Sequence, residues 1–247
     1  MTTTIITIVL MAFLASFIQR VSGFGFGIAF MTIVPFVMPS FGESTALSGM
    51  LAIICALFTS IRLYKHVRWD HLIIILLTFI IVSFFSVKLL TFIDNVLLKK
   101  ILGVVLVLVS VYFLYMDGKI HLKPTALTQV SMGTVSGVMG GLFGMQGPPA
   151  VIYFLSCADN KAEYMAITQW YFIIGNLAMT FFRAGHGFVT PHVWELFAVG
   201  VPSVLLGLFV GGKVFDKISV RLLRKIVYIF IGVAGLIALF PHILPLD

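Results

Sequence analysis

Charge is scarce in this 247-residue chain, because Asp, Glu, Lys and Arg together supply only 10% of it. A soluble domain carries about 25% charged residues, so the composition excludes a surface that faces water on all sides. Apolar residues reach 60%, and the mean hydropathy is +1.14. Most of the surface must therefore face lipid, and we expect an all-α, multi-pass protein of the inner (plasma) membrane.

Several kinds of chemistry are excluded by what is missing. The two cysteines, Cys55 and Cys157, lie in apolar stretches and form no disulfide framework. The histidines lack metal-ligand spacing, so neither metal nor cofactor is expected. The acids lie at segment ends or in loops, and only Glu195 just enters a segment, so nothing supports a carboxylate proton relay. The net charge of +7 is attributed to topology and anionic lipid, not to nucleic acid.

Six apolar runs have about the 20 residues that a spanning helix needs; they are 44–62, 71–92, 98–116, 163–183, 190–214 and 222–241. Two other stretches, 5–39 and 124–157, are too long for one crossing and are interrupted by Gly or by Gly and Pro. Each is predicted to be a hairpin of two short helices that meet at a break. No Lys or Arg precedes residue 5, so the first segment is expected to stay in the membrane and not to be a cleaved signal.

The chain is predicted to consist of two repeats, 1–118 and 119–247, of about five segments each. At a constant offset of 125, matching residues are Lys88, Ile93, Leu97, Leu98, Lys100 and Ile101 with Lys213, Ile218, Leu222, Leu223, Lys225 and Ile226. If both broken stretches are hairpins, the loops on one side carry eleven Lys and Arg, against four on the other. The positive-inside rule then favours inverted repeats with both termini in the periplasm.

The two breaks are the first candidate site. One reads Gln19-Arg20-Val21-Ser22-Gly23-Phe24-Gly25-Phe26-Gly27, and the other contains Ser136-Gly137, Gly140-Gly141 and Gly144-Met145-Gln146-Gly147-Pro148-Pro149. Inverted-repeat transporters place such interruptions at the midplane, where helix N-termini attract anions. No Gly-Lys-Ser/Thr follows either cluster, which excludes a nucleotide P-loop. The alternative is that the glycines only let helices pack closely.

A polar stripe is the second candidate. Gln169, Asn176, Thr180 and Arg183 fall at steps of seven, four and three, which places them on one helical face. An offset of 121 matches these four positions with Ser48, Cys55, Thr59 and Arg62. Two such inward faces would line a path, and the alternative is hydrogen bonding between helices at about 0.6 kcal/mol per bond.

Three arginines are candidates for steering or binding an anion. Arg62 and Arg183 end matching helices and are predicted to steer anions toward opposite mouths; the alternative is that they snorkel to the interface. Arg20 lies inside the first break and is the candidate full charge of the site. Its alternative position is the outer surface.

Taken together, Gln19 with Ser22-Gly23-Phe24-Gly25-Phe26-Gly27 and Pro35, and the paired cluster from Ser136 to Pro149, resemble the TauE/SafE family of sulfite exporters and sulfonate permeases. The resemblance covers nearly the whole chain. It implies transport of a small sulfur-containing anion, with the two breaks as the substrate region. The predicted substrate-binding residues are Gln19, Arg20, Ser22, Gly23, Gly25, Gly27, Ser48, Gly144, Met145, Gln146, Gly147, Pro148, Gln169 and Asn176.

The expected mechanism is alternating access around a central anion. An anion channel is the first alternative. An intramembrane enzyme that uses Ser22, Ser48 or Ser136 is the second, although no His lies at midplane depth to act as its base. The expected partners are the anion and the lipid bilayer. A coupling ion, H⁺ or Na⁺, and a homo-oligomer are left open.

Overall fold

The computed structural model describes residues 2–61, 63–116, 122–214 and 220–239, and for residues 214 and 220–224 it describes the backbone alone. Across these ranges the structure contains α-helices and no β-strand. The helices are α1 (Thr2–Ser22), α2 (Phe26–Met31), α3 (Phe41–Ser60), α4 (Trp69–Leu89), α5 (Asn95–Met116), α6 (Ala126–Phe143), α7 (Gly147–Cys157), α8 (Lys161–Gly185), α9 (Pro191–Val214) and α10 (Val220–Leu239). Two short 3-10 turns, Val34–Phe36 and Tyr64–His66, lie between them.

Six of these helices, α1, α3, α4, α5, α8 and α9, are long and apolar enough to cross a membrane. The predicted all-α, multi-pass membrane fold is thereby confirmed. The six predicted spans coincide with α3, α4, α5, α8, α9 and α10, and their ends differ from the observed ones by no more than three residues. Residues 240 and 241 of the last predicted span lie outside the described ranges.

Both predicted breaks are present, but the prediction of two short helices is wrong for the first stretch, because α1 has 21 residues and is long enough to cross a membrane. The first separates α1 from the six-residue α2 and contains Gly23 and Gly25, whose φ angles are +87° and +104°. The second follows α6, which ends at Gly144 with a φ of +66°. Backbone in this left-handed region strains any residue with a side chain. Glycine at these three positions therefore ends the helices without that strain.

α3 and α8 begin with the same kind of cap. The Ser40 hydroxyl oxygen accepts from the amide of Glu43 at 3.1 Å, and the Asn160 side-chain oxygen accepts from the amide of Glu163 at 3.0 Å. Each cap satisfies an amide that has no partner inside its helix. The two caps hold the N-termini of the helices that flank the breaks.

The helices pack in pairs: α1 lies along α9, α4 along α6, α5 along α10, and α3 along α8. Suppose that α1–α5 are exchanged in order with α6–α10. The pair of α1 and α9 then becomes the pair of α6 and α4, whereas the α5–α10 and α3–α8 pairs are unchanged. A pseudo-two-fold relation would produce this pairing. The division at residue 118 and the inversion of the repeats stay predictions.

The bundle exposes apolar side chains at its surface and buries polar ones inside, as expected for a protein in lipid. Large apolar side chains such as Phe92, Leu108 and Phe181 are exposed at the periphery. Polar side chains that include Gln169 and Arg183 are buried among the helices. Because a polar group in lipid lacks partners, inward placement indicates either helix-to-helix bonding or a site.

Candidate functional site

The two breaks touch each other near the centre of the bundle. A Cβ added at Gly27 would overlap the carbonyl oxygen of Gly144 and would lie 3.6 Å from the Cα of Met145. The first turn of α2 therefore rests directly on the backbone that joins α6 to α7. Gly27 has no side chain at this contact, which allows the two interrupted segments to meet.

A cavity lies beside this contact, and its lining comes from both breaks and from α3 and α8. The lining residues are Gln19, Gly25, Phe26, Gly27, Ile28, Ala52, Gly144, Met145, Gln146, Gly147, Phe172 and Asn176. The cavity volume, measured as the space open to the centres of water-sized spheres, is about 20 Å³. No charged side chain belongs to this lining, and its side-chain hydrogen-bonding groups are three amides, those of Gln19, Gln146 and Asn176.

Gln146 is the polar side chain with the least satisfied environment in the cavity. It is 4% exposed, and neither its Nε2 nor its Oε1 has a hydrogen-bond partner among the residues that the structure describes. Leaving a buried donor or acceptor unpaired costs about 1–3 kcal/mol. A buried group of this kind in a native protein calls for an explanation, such as a ligand or an ordered water. The side chain is therefore available to a guest in the cavity.

The first break is held by an amide relay. Gln169 Nε2 donates to the carbonyl oxygen of Gly23 at 2.8 Å, and Gln169 Oε1 accepts from Gln19 Nε2 at 3.2 Å. Gln169 is fully buried on α8 and satisfies a carbonyl that the end of α1 leaves free. Its contacts make it a positioning residue, because both ends of its amide are occupied by the break and by Gln19.

The second break has a corresponding clamp. The Ser136 hydroxyl donates to the backbone carbonyl of Gln146, and the Tyr171 hydroxyl lies 2.6 Å from the same Ser136 oxygen. Since the Ser136 proton is directed at Gln146, Tyr171 is the donor of the second bond. α6 and α8 thus jointly fix Gln146, one of the residues that line the cavity.

Backbone amides contribute less to the cavity than the Gly-rich sequence predicts. The Gly144 amide donates to the Gly140 carbonyl at 2.9 Å, so it belongs to the end of α6. Pro148 and Pro149 occupy the first turn of α7 and have no N–H. Only Gly147 and Ala150 remain as donors in that turn. The polarity of the cavity therefore depends more on side-chain amides than on helix ends.

Arg183 lies deep in the bundle and not at an open mouth. Its side chain is 0% exposed, and its NH2 nitrogen donates to the carbonyl oxygens of Gly140 at 2.8 Å and Gly141 at 3.3 Å. These carbonyls belong to the last turn of α6, where the helix dipole is negative. Arg183, which was expected near a mouth at its helix end, is thus fully buried against α6, and its role in steering anions stays a prediction.

The sequence also matches a known protein family. The sequence model of the sulfite exporter TauE/SafE family matches residues 8–237. The chain belongs to the TauE/SafE family. Because this is a family of transporters and not of enzymes, membership weighs against the intramembrane-enzyme alternative.

Three relatives of this TauE/SafE protein extend over most of its length. A probable membrane transporter protein of Methanocaldococcus jannaschii is 23% identical over 94% of both chains. A probable sulfite/organosulfonate exporter of Cupriavidus necator is 23% identical, over 89% of this chain and 88% of the relative. A probable membrane transporter protein of Bacillus subtilis is 25% identical, over 88% of this chain and 92% of the relative. No solved structure matches.

The structure brings eight of the predicted substrate residues of this TauE/SafE protein to the cavity wall: Gln19, Gly25, Gly27, Gly144, Met145, Gln146, Gly147 and Asn176. Gly23 and Gln169 belong to the clamp of the first break. Ser48 is 1% exposed, and its hydroxyl has no hydrogen-bond partner among the described residues. A Cβ added at Gly144 would lie 3.8 Å from the Cβ of Ser48. Pro148 lies in the first turn of α7 and is not among the lining residues.

Other predicted residues lie elsewhere. Arg20 packs on α9, where its Cβ would be 3.0 Å from a Cβ on Gly211, and it does not line the cavity. Ser22 bonds within its own break, with its hydroxyl 2.7 Å from the carbonyl oxygen of Ile18 and 2.6 Å from that of Phe24. Arg62, the second predicted steering residue, lies outside the described residues.

Sequence reasoning did not select Tyr171 or Phe172, although the first clamps a break and the second lines the cavity. Both follow Gln169 on α8, but aromatic residues in an apolar helix carry no pattern that separates a clamp from core packing. The sequence indicates Ser136 only as part of a Gly cluster and as a nucleophile of the enzyme alternative. Its hydroxyl is committed to Gln146 and Tyr171.

Proposed function

We propose that this protein carries a small sulfur oxyanion, sulfite or an organosulfonate, across the membrane by alternating access. The anion is held in the cavity between the two helix breaks. The observation that carries the proposal is the Gln146 side chain, which is buried at that cavity with both of its polar atoms unpartnered. The substrate class follows the family and the exporter of Cupriavidus necator.

The cavity walls fit an anion better than a cation. They contain no carboxylate, and their free polarity includes the amide N–H groups of Gln146. Amide donors bind oxyanion oxygens, and hydrogen bonds to a charged group contribute about 1.5–3 kcal/mol. A cation would need several oxygen ligands, which this lining offers only through neutral carbonyls. An oxyanion of sulfur presents several acceptors to such donors.

Alternating access is supported by how the breaks are built. Each break is clamped from α8, by Gln169 on one side and by Tyr171 through Ser136 on the other. The helix pairs that surround them exchange as a pseudo-two-fold relation requires. Movement of one half against the other would open the cavity to one side at a time.

The test is flux through purified protein in liposomes, with labelled sulfite and labelled methanesulfonate as substrates. Gln146→Leu should lower the initial rate about 10–100-fold, since one hydrogen bond to a charge is lost and about 1.4 kcal/mol corresponds to tenfold. Gln146→Glu should lower it further, because a carboxylate in the cavity repels the anion.

Gln129→Leu is the matched control. Gln129 is also 4% exposed, and its Oε1 also lacks a partner, but it lies in the first turn of α6 away from the cavity. Its variant should transport at the wild-type rate. Wild-type flux in both Gln146 variants would exclude the cavity as the site. Stimulation of flux by unlabelled anion on the opposite side separates this carrier from the channel alternative, which shows no such exchange.

A further inference from the structure

A second cavity lies between the first break and α10, and its walls are mostly apolar. Phe24, Val227 and Ile231 line it, together with Gly25 and Ile28, which also line the cavity between the breaks, here called the anion cavity. The two cavities are therefore neighbours that share part of the first break. The volume of the second cavity, measured in the same way, is about 10 Å³. This is about the least space that holds one water molecule, so an anion does not fit there in this arrangement of the helices.

The Phe24 ring lies between the two cavities. On the side of the anion cavity, a Cβ added at Gly147, one of its lining residues, would lie 3.8 Å from Phe24 Cδ2. On the other side, the ring lines the second cavity and packs on Phe113 of α5, with ring centroids 5.2 Å apart. Phe24 is 2% exposed. Its ring thus stands behind the wall of the anion cavity and forms part of the wall of the second.

The backbone on both sides of Phe24 is glycine in the left-handed region. Gly23 has a φ of +87° and Gly25 a φ of +104°. Hinge segments are a few loop or element-terminal residues that absorb large changes of φ and ψ, and glycine has the widest choice of both. The Phe24 ring can therefore change its position without unwinding α1 or α2.

α10, which forms one wall of the second cavity, is attached mainly to α5. Among the described residues the two helices pack along each other, whereas α10 touches α1 and α2 over shorter stretches. A Cβ added at Gly103 or at Gly235 would lie 2.8 Å from the carbonyl oxygen of the other residue. The Ser110 hydroxyl donates to the carbonyl oxygen of Tyr228 at 2.6 Å, and the Tyr228 ring stacks on Phe113 at 4.9 Å. The α5–α10 pair is thus one unit that can move against the first break.

We propose that Phe24 is a gate of the anion cavity, and that the exit behind it runs through the second cavity. The gate is closed in this structure. It opens when the α5–α10 pair moves away from the first break, which separates Phe24 from Phe113 and widens the second cavity. An apolar ring in a narrow passage excludes an anion, because the anion would lose its hydration without gaining donors. The proposal rests on the proposed function and adds to it the residue that closes one side of the cavity.

Core packing alone is the alternative role for Phe24. It accounts for the contact with Phe113, since buried aromatic rings commonly pair in this way. A residue that only fills the core has no need of a left-handed glycine on each side. It would also leave no unfilled space along its ring, because protein interiors are close-packed. A gate accounts for both features.

The test follows labelled methanesulfonate out of liposomes that contain the purified full chain, into medium with or without unlabelled methanesulfonate. Unlabelled anion outside should accelerate efflux through the wild type, because a carrier exchanges its substrate faster than it returns empty. In Phe24→Ala, efflux into anion-free medium should rise at least tenfold and should no longer respond to unlabelled anion, as in a channel. Phe24→Leu keeps an apolar side chain without the ring. It should show a smaller leak of the same kind, and it decides the matter if Phe24→Ala does not fold.

Phe143→Ala is the matched control. Phe143 is 3% exposed, directly precedes Gly144 in the second break and packs on the Phe41 ring at 6.2 Å, but it is not among the lining residues of either cavity. Loss of its ring should lower the unfolding temperature about as much as Phe24→Ala does. Efflux through this variant should still be accelerated by unlabelled anion.

Val227→Phe tests the exit from the side of α10. Val227 lines the second cavity and not the anion cavity, so a larger side chain there narrows the exit and leaves the binding site intact. Efflux should fall at least tenfold. The methanesulfonate concentration that half-saturates thermal stabilisation should stay at the wild-type value, because the anion still binds the native state.

The outcomes separate this inference from the proposed function. Wild-type acceleration without a leak in the Phe24 variants would overturn the gate, and an equal leak in Phe143→Ala would assign the effect to loosened packing and overturn it as well. Wild-type efflux through Val227→Phe would exclude the second cavity as the exit. Absence of methanesulfonate flux through the wild type, or of its acceleration by unlabelled anion, would contradict the proposed function itself.

Discussion

Gly27→Ala is the substitution that most directly perturbs the contact between the breaks. Gly27 lies in α2 with an ordinary helical backbone, so alanine fits the local conformation and gains about 1 kcal/mol of helix propensity. Its methyl group, however, would overlap the carbonyl oxygen of Gly144, and a backbone atom cannot rotate away as a side chain can. Overpacking of this kind costs about 1–3 kcal/mol. The steric term therefore exceeds the propensity term, and the two breaks must separate.

The expected result is a clear loss of sulfite flux in liposomes, with only a small loss of stability. The unfolding temperature in detergent should fall only slightly, since the net cost is about 0–2 kcal/mol. Gly185→Ala is the control, because an added Cβ there meets nothing within 4 Å and the variant should be as stable and as active as the wild type. Wild-type flux in Gly27→Ala would refute the argument that the breaks work as one contact.

Three further outcomes follow from the clamps and the cavity. Gln169→Ala removes the donor to Gly23 and the acceptor of Gln19, and flux should fall about 10–100-fold, since two bonds of about 0.5–1.5 kcal/mol each are lost; an unchanged rate would exclude the clamp. Tyr171→Phe removes one donor to Ser136 and should lower the free energy of unfolding by about 1 kcal/mol, measured by thermal unfolding. Ser136 keeps its bond to the break. Methanesulfonate affinity should be constant between about pH 6 and 8, because none of the described residues that line the cavity has a titratable side chain; a steep pH dependence would place the site elsewhere.

The sequence predicts the helices well because the signals are local. Runs of about 20 apolar residues specify spanning helices, and the Gly and Pro clusters specify where two of them stop. The ends of α6 and α7 follow directly from Gly144 and from the prolines after Gly147. Each of these signals is contained within a few residues of the chain.

The arrangement of the site depends on contacts that no local pattern carries. Gly27 meets Gly144 across two separate breaks, and this pairing is visible only after α2 has been placed on the end of α6. The polar stripe predicts that Gln169 is a substrate residue, yet its amide is occupied by Gly23 and Gln19. The stripe identifies the inward face of α8 but does not distinguish a ligand from a clamp.

The positions of the two arginines also could not be predicted from the sequence. Arg183 stands near the end of α8, which in a lipid-facing helix suggests snorkelling, whereas packing against α6 buries it. Arg20 stands inside a predicted break, but the helical turn directs it toward α9 and away from the cavity. The direction of a long side chain depends on its neighbours, which the sequence alone does not give.

The most direct measurement of the central claim is an experimental structure of the protein in lipid nanodiscs with saturating selenate, an electron-rich oxyanion of the same shape as sulfate. The account predicts density for the anion between the two breaks, within hydrogen-bonding distance of Gln146 Nε2 and beside the Gly27–Gly144 contact. Density for a bound anion elsewhere in the bundle, with this cavity empty at a concentration that saturates binding, would contradict it.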